Sequence, residues 1–135
     1  MNSFAIGVDL GGTNLRVAVV ESGGRLLEKL TTGTQVARGR DRVVAEMCND
    51  IRLLAQRFAG TGALAGIGIG VPGIIDMRTG FLHESPNLPG WAGYPVRDEI
   101  EQRLGTRVVL ENDANSAAMG EKWLGAGADT DDTAQ

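Results

Sequence analysis

A chain of 135 residues with an ordinary apolar share can bury one domain-sized core, so a disordered acidic segment is excluded. The formal charge of −4 argues against nucleic acid as the main partner, because neutralising phosphates requires a basic patch. Cys48 is the only cysteine, which rules out an internal disulfide; with no leader and no apolar run of membrane-spanning length, a cytoplasmic protein without membrane contact is expected.

The first segment, FAIGVDLGG, alternates. Phe4, Ile6, Val8 and Leu10 fall on one face, and Ala5, Gly7 and Asp9 on the other, which predicts a half-buried strand. Gly11 and Gly12 then predict a tight turn, LRVAVVE a second strand, Gly23 and Gly24 another turn, and RLLEKLTT a third strand, together an antiparallel meander. From Arg40 to Phe58 the period changes. Val43, Met47, Ile51, Leu54 and Phe58 are spaced 4, 4, 3 and 4, the stripe of an amphipathic helix that Gly60 and Gly62 end. Cys48 falls within it and reads as inert. Arg38, Arg40 and Arg42 read as a solvated helix start beside Asp41, Glu46 and Asp50.

LAGIGIGV predicts a fourth strand whose second face, Gly66, Gly68 and Gly70, carries no side chains and admits a helix or ligand. Pro72 to Pro95 is a long Gly- and Pro-rich connection expected to hold a small hairpin. Within it PNLPGW is either a rigid wall for a substrate or a surface loop with Trp91 as anchor, and His83 reads as a surface residue. Pro95 suits the first turn of a short helix with Val96, Ile100 and Leu104 on one face and Gly105 at its end. RVVLE predicts the fifth strand, after which Asn112 or Asp113 caps a last helix. A sheet with helices on its faces follows, with ligands expected at the carboxyl ends of the first, fourth and fifth strands.

Two stretches carry residues suited to chemistry. In DLGGTNLR a strand ends in Asp9 and a Gly11-Gly12-Thr13-Asn14 turn follows. Backbone N–H groups there can form an anion nest, the Thr13 hydroxyl can add a donor, Asp9 can serve Mg²⁺ directly or through water, and Arg16 can reach a phosphate. The same pattern also suits a plain hairpin turn. In LENDANSAAMGE three polar residues, Asn112, Asp113 and Asn115, lie within four positions of a strand end. One suffices as a cap. A strand-end carboxylate can also take a proton from a bound hydroxyl, as a general base for attack on a phosphoryl group, while Asn112 offers a donor and an acceptor to a diol.

The segments DLGGTNLRVAVV, GIGVPGIID, PNLPGW, LENDANSAAMGE and GAG, in this order from about residue 5 to residue 128, resemble the ROK family of sugar kinases and related repressors, with bacterial glucokinases the nearest branch. The resemblance implies an α/β fold of the actin-like ATPase (ribonuclease H-like) type, a five-stranded mixed sheet with helices on both faces. It implies ATP-dependent phosphorylation of a hexose, most simply glucose, at the 6-hydroxyl, as a step of carbohydrate metabolism. Asp9, Gly11, Gly12, Thr13, Asn14 and Arg16 resemble the first phosphate loop, which meets ATP and magnesium. Gly73 and Asn87 resemble residues that line and hydrogen-bond the sugar, Asn112 another sugar ligand, and Asp113 the catalytic base.

Members of that family are usually more than twice as long. Residues 1–125 are therefore expected to form the N-terminal lobe, and 126–135 a frayed start of the crossover to a second lobe. A further phosphate loop, the adenosine pocket, a sugar-binding Glu and His and a structural zinc site would belong to that second lobe. The isolated chain is expected to be inactive or nearly so and to expose an apolar patch; the full-length protein is expected to be a homo-oligomer. No helix-turn-helix precedes Phe4, which weighs against the repressor branch. A kinase for N-acetylglucosamine, N-acetylmannosamine or fructose, polyphosphate as donor, and a non-catalytic sugar-binding or assembly module remain as alternatives.

Overall fold

A computed structural model describes residues 3–71, 74–76, 78–84 and 90–111. Strands β1 (Ser3–Leu10), β2 (Asn14–Glu21) and β3 (Leu26–Gly33) lead through a 3₁₀ turn at Val36–Arg38 into helix α1 (Arg40–Phe58). Strand β4 (Ala63–Gly70), the hairpin β5 (Ile74–Asp76) and β6 (Phe81–Glu84), helix α2 (Val96–Leu104) and strand β7 (Val109–Glu111) follow. The last helix expected from Asn112 or Asp113 lies outside the described residues.

Five strands form one mixed sheet in the order β3-β2-β1-β4-β7. The meander β1-β2-β3 is antiparallel, whereas β4 pairs parallel to β1 and β7 parallel to β4. Parallel neighbours need a crossover. Helix α1 makes the first, from β3 to β4, and α2 lies on the second, from β4 to β7.

Alternation sorts the strand residues as the pattern demands. Ile6 faces Val19 and Ile67, and Val8 faces Val17 and Ile69, so these rows share one side. Against that side α1 buries Val43, Val44, Met47, Cys48, Ile51 and Leu54, and α2 buries Val96 and Ile100, in one continuous core. Each such side chain is worth about 1.5–3 kcal/mol relative to exposure, against about 1 kcal/mol for a helix cap. Burial therefore decides α1, whose N-cap, Gly39, supplies no capping side chain. On the sheet's second face Ala5, Gly7, Ala18 and Val20 are also buried, with Gly68 and Gly70 beside them. Both described helices pack on the first face.

Two boundaries differ from the pattern. Pro95 precedes α2 as its N-cap, at φ −79° and ψ 74°, because the proline ring sets φ while ψ stays free of the helical value. The fifth strand starts at Val109, because the Val108 N–H donates to Glu101 Oε2 at 2.9 Å and leaves the ladder. Gly105 ends α2 as expected, at φ 73°, its N–H donating to the Glu101 carbonyl at 2.8 Å.

Among the described residues no helix is long and apolar enough to cross a membrane. Among the described residues the large apolar side chains left exposed are Leu26, Leu53, Leu64 and Val109, each on a different element.

Candidate functional site

Because β1, β4 and β7 run parallel, their carboxyl ends lie along one edge. Asp9 is in register with Gly70, and Gly70 with Glu111, so a single row crosses the three strands at that edge. The turn Gly11–Thr13 leaves the sheet one residue beyond the end of β1, and residue 112 follows the end of β7. Neighbouring strands are about 4.8 Å apart, so the two chain exits are separated by two strand spacings, about 10 Å. Asp9 belongs to the glycine-bearing face, where the floor beside it is Gly70 and not a side chain.

Across the antiparallel pair Asp9 opposes Arg16, and their side chains form a 3.4 Å ion pair. Arg16 is 46% exposed and Asp9 17%, so the pair is solvent-screened and worth no more than about 1 kcal/mol. An anion or cation with a stronger demand can separate them at little loss.

The turn is built from backbone. The Gly11 N–H donates to the Asn14 carbonyl at 2.9 Å, so that amide is engaged inside the turn. Neither Gly11 nor Gly12 has positive φ, unlike Gly23 at 108° and Gly24 at 91°. The expectation that this pair serves a tight turn is thereby sharpened: a Cβ on Gly11 would sit 3.1 Å from the Asn14 oxygen, so glycine here serves close approach.

Thr34 then braces the turn from the end of β3. Its Oγ1 donates to the Gly11 carbonyl at 2.7 Å and its N–H to the Thr13 carbonyl at 2.9 Å. In a trans peptide the N–H lies opposite the C=O. With no cis bond present, the Gly12 and Asn14 amides accordingly point away from Thr34. These two N–H groups, the Thr13 hydroxyl, the Asn14 side chain, Asp9 and Arg16 are among the polar groups at this turn.

That donor set suits a phosphate and a magnesium ion bound together, since Mg²⁺ takes one or two carboxylates and completes its shell with water and phosphate oxygens. Asp9 supplies one such carboxylate, and among the described residues no cluster of three or more His, Cys, Asp or Glu side chains occurs.

The sequence-derived candidates divide. Asp9, Gly11, Gly12, Thr13, Asn14 and Arg16 come together at one turn. Gly73, Asn87, Asn112 and Asp113 lie outside the described residues. PNLPGW resolves in part: Trp91 is wholly buried in the core and edge-on to Tyr94 at 5.6 Å, so it anchors and does not line a wall. Trp91 Nε1 and Tyr94 OH are buried and have no hydrogen-bond partner among the described residues. Burial pushes the Tyr94 hydroxyl up from its ordinary pKa, with Glu99 adding to the shift and the nearby Arg40 opposing it.

Sequence reasoning missed two residues. Thr34 carried no local signal, because its partners lie on another turn, Gly11 being 23 positions away in the chain. The three arginines at the start of α1 do not share one role. Arg38 and Arg42 pair with Glu46 at the surface, whereas Arg40 lies over the Tyr94 ring at 4.0 Å and donates to the Gly90 carbonyl at 3.0 Å. Cys48 is buried as expected, and burial raises its thiol pKa, which keeps it protonated and unreactive.

Residues 5–134, which include this Gly-Gly-Thr turn and its strand-end aspartate, match the model of the ROK family. The chain belongs to the ROK family. It is 43% identical over 123 residues to a glucokinase of Thermotoga maritima, covering 90% of this chain and 37% of that protein. It is 30% identical over 121 residues to a xylose repressor of Caldicellulosiruptor bescii, covering 89% of this chain and 30% of the repressor. Among solved structures, a ROK family glucokinase from Streptomyces griseus in complex with glucose and AMPPNP superposes with a TM-score of 0.72 at 35% identity, covering 92% of this chain and 38% of that one. This ROK chain thus spans little more than a third of the length of these kinase relatives.

Proposed function

We propose that this chain is the N-terminal lobe of an ATP-dependent hexose kinase, which transfers the γ-phosphoryl group of ATP to the 6-hydroxyl of glucose. The observation that carries the reading is the row Asp9–Gly70–Glu111: it sets the braced Gly-Gly-Thr turn and the strand end that leads into Asn112 and Asp113 on one edge of the sheet. Glucose is proposed as the hexose because glucokinases of Thermotoga maritima and Streptomyces griseus are among the proteins this chain is similar to.

In this mechanism the Gly12 and Asn14 amides and the Thr13 hydroxyl hold phosphate oxygens by hydrogen bonds, and Arg16 leaves Asp9 to offset their charge. Asp9 would hold magnesium directly or through water. Magnesium held there would offset the phosphate charge that an incoming hydroxyl must meet. Asn112, Asn87 and the backbone at Gly73 orient the sugar. Asp113 accepts the proton of the 6-hydroxyl as its oxygen bonds to the γ-phosphorus and the bond to the β-phosphate oxygen breaks, releasing ADP. Phosphoryl transfer rests mostly on positioning, so half of a cleft does little, and the isolated chain turns over slowly or not at all.

The test is a coupled ADP-release assay on the full-length protein with glucose, N-acetylglucosamine, N-acetylmannosamine, fructose and mannose, ATP and polyphosphate being compared as donors. Turnover is expected with glucose and ATP, falling by about 10³-fold or more in Asp113→Asn. Full activity in Asp113→Asn would overturn the assignment of the base, and no turnover on any hexose would overturn the reading.

The similarity to the xylose repressor favours one second reading, a lobe that binds sugar without catalysis. Calorimetry separates the two. A sensor binds the sugar tightly without ATP, whereas a kinase lobe binds it feebly alone.

A further inference from the structure

We infer that Thr34 is the positioning residue of the Gly11–Thr13 turn, setting the direction in which its amides are presented and through it the affinity for the nucleotide phosphates; this rests on the kinase reading above. Outside the aromatic and sulfur-bearing core, Thr34 is the one polar residue buried among the described residues. It spends both of its donors on one turn, Oγ1 on the Gly11 carbonyl at 2.7 Å and N–H on the Thr13 carbonyl at 2.9 Å. Those carbonyls belong to two different peptide planes, 11–12 and 13–14. Holding both oxygens towards β3 holds the Gly12 and Asn14 N–H groups away from it, since each peptide is planar and trans.

Without the brace, the Gly11 carbonyl would have only the turn itself to restrain it. Neither flanking glycine has a side chain to limit rotation of that plane. The turn's own backbone bond, Gly11 N–H to the Asn14 carbonyl, closes the hairpin but leaves the 11–12 plane undetermined.

Thr34 is itself held firmly. Gly33 before it pairs with Asn14 in the last rung of the β2-β3 ladder. Gln35 after it sits at φ 55°, ψ 54°, a left-handed conformation that a side-chain-bearing residue adopts only where its surroundings impose it. The chain reverses there directly from strand to 3₁₀ turn, and this reversal carries the Thr34 N–H and hydroxyl to the turn. Thr34 touches no substrate in this account; it acts through Gly12 and Asn14.

The test uses the full-length protein with Thr34→Val, which removes the hydroxyl at nearly constant shape and keeps the backbone N–H, and with Thr34→Ser, which keeps the hydroxyl. ATP and hexose are varied separately, and amide hydrogen exchange is followed at Gly12 and Asn14. In Thr34→Val the KM for ATP is expected to rise about tenfold, with the KM for the hexose within about twofold, while exchange at Gly12 quickens about tenfold. Thr34→Ser is expected to restore both. Equal rises in both KM values would show general loosening and overturn the proposal, as would unchanged exchange at Gly12. If the wild-type protein transfers no phosphate yet Thr34→Val quickens Gly12 exchange and Thr34→Ser does not, the brace stands and the kinase reading falls. Should Thr34→Val fail to fold, Thr34→Ser decides alone: it must keep the ATP KM while losing thermal stability from the missing methyl, and a raised ATP KM overturns the proposal.

Discussion

The chain contains two Gly-Gly turns within 14 residues, and they use glycine for opposite reasons. Gly23 and Gly24, between β2 and β3, stand at φ 108° and 91°, a backbone region closed to most side chains, and a Cβ on Gly23 would meet nothing within 4 Å. Gly11 and Gly12, between β1 and β2, have no positive φ, and a Cβ on Gly11 would crowd the Asn14 oxygen at 3.1 Å. The second pair solves a problem of chain reversal. The first leaves backbone bare where the chain comes close to itself and where, in the proposed function, it comes close to phosphate. An identical dipeptide therefore serves chain reversal at one end of β2 and close backbone approach at the other, the latter being the end that the proposed function gives to phosphate.

Substitution separates the two. Gly11→Ala has a permitted φ but must push the Asn14 carbonyl by a few tenths of an ångström, and this shift passes to the 13–14 region of the turn. In the full-length protein kcat/KM for ATP is expected to fall about 10–100-fold while the melting temperature moves little. Steady-state kinetics beside a thermal melt check this, and a large loss of stability with intact kinetics would erase the contrast. Gly23→Ala is expected to do the reverse, lowering stability by about 1–2 kcal/mol through backbone strain while leaving both KM values unchanged. Urea unfolding of the chain measures the first, and kinetics of the full-length protein the second.

The smallest effect is a control remote from both turns. Burial raises the Asp50 pKa above its ordinary 3.8, and Glu46 adds to the shift. A carboxyl raised in the folded state favours folding most at pH values below the unfolded pKa, and this contribution is lost as pH rises through the folded pKa. Asp50→Asn on α1 is thus expected to raise stability at pH 7 by about 0.5 kcal/mol or less, the gain shrinking as pH is lowered towards 3.8. Melts at pH 7 and pH 4 read the difference; an advantage that grows on acidification would contradict the sign.

How legible the molecule was depends on the range of the interaction involved. Helix α1 was readable to its boundaries, Arg40 to Phe58, because a stripe at 3.6-residue spacing and the glycines beyond it are local signals. The meander, the β5-β6 hairpin and the end of α2 at Gly105 were readable for the same reason. The candidate site was legible as a set of residue types from Asp9 to Arg16, which carry their chemistry openly. Its brace was not. Thr34 looks like the end of a polar strand until the Gly11 carbonyl is placed beside it, and Arg40 looks like one of three solvated arginines until Gly90, 50 positions on, comes within 3.0 Å.

By itself the sequence determined where the described strands and the helices α1 and α2 form, which face of each is apolar, the family, and which side chains are chemically equipped at the first strand end. Those properties follow from periodicity and residue chemistry within a few positions. Tertiary structure alone decided that Asp9, Gly70 and Glu111 share one row, that the first Gly-Gly pair has no positive φ, that Trp91 is core, and that Thr34 aims the turn. Each of these depends on which distant groups meet, and a hydrogen bond or packing contact between residues tens of positions apart leaves no periodic trace along the chain.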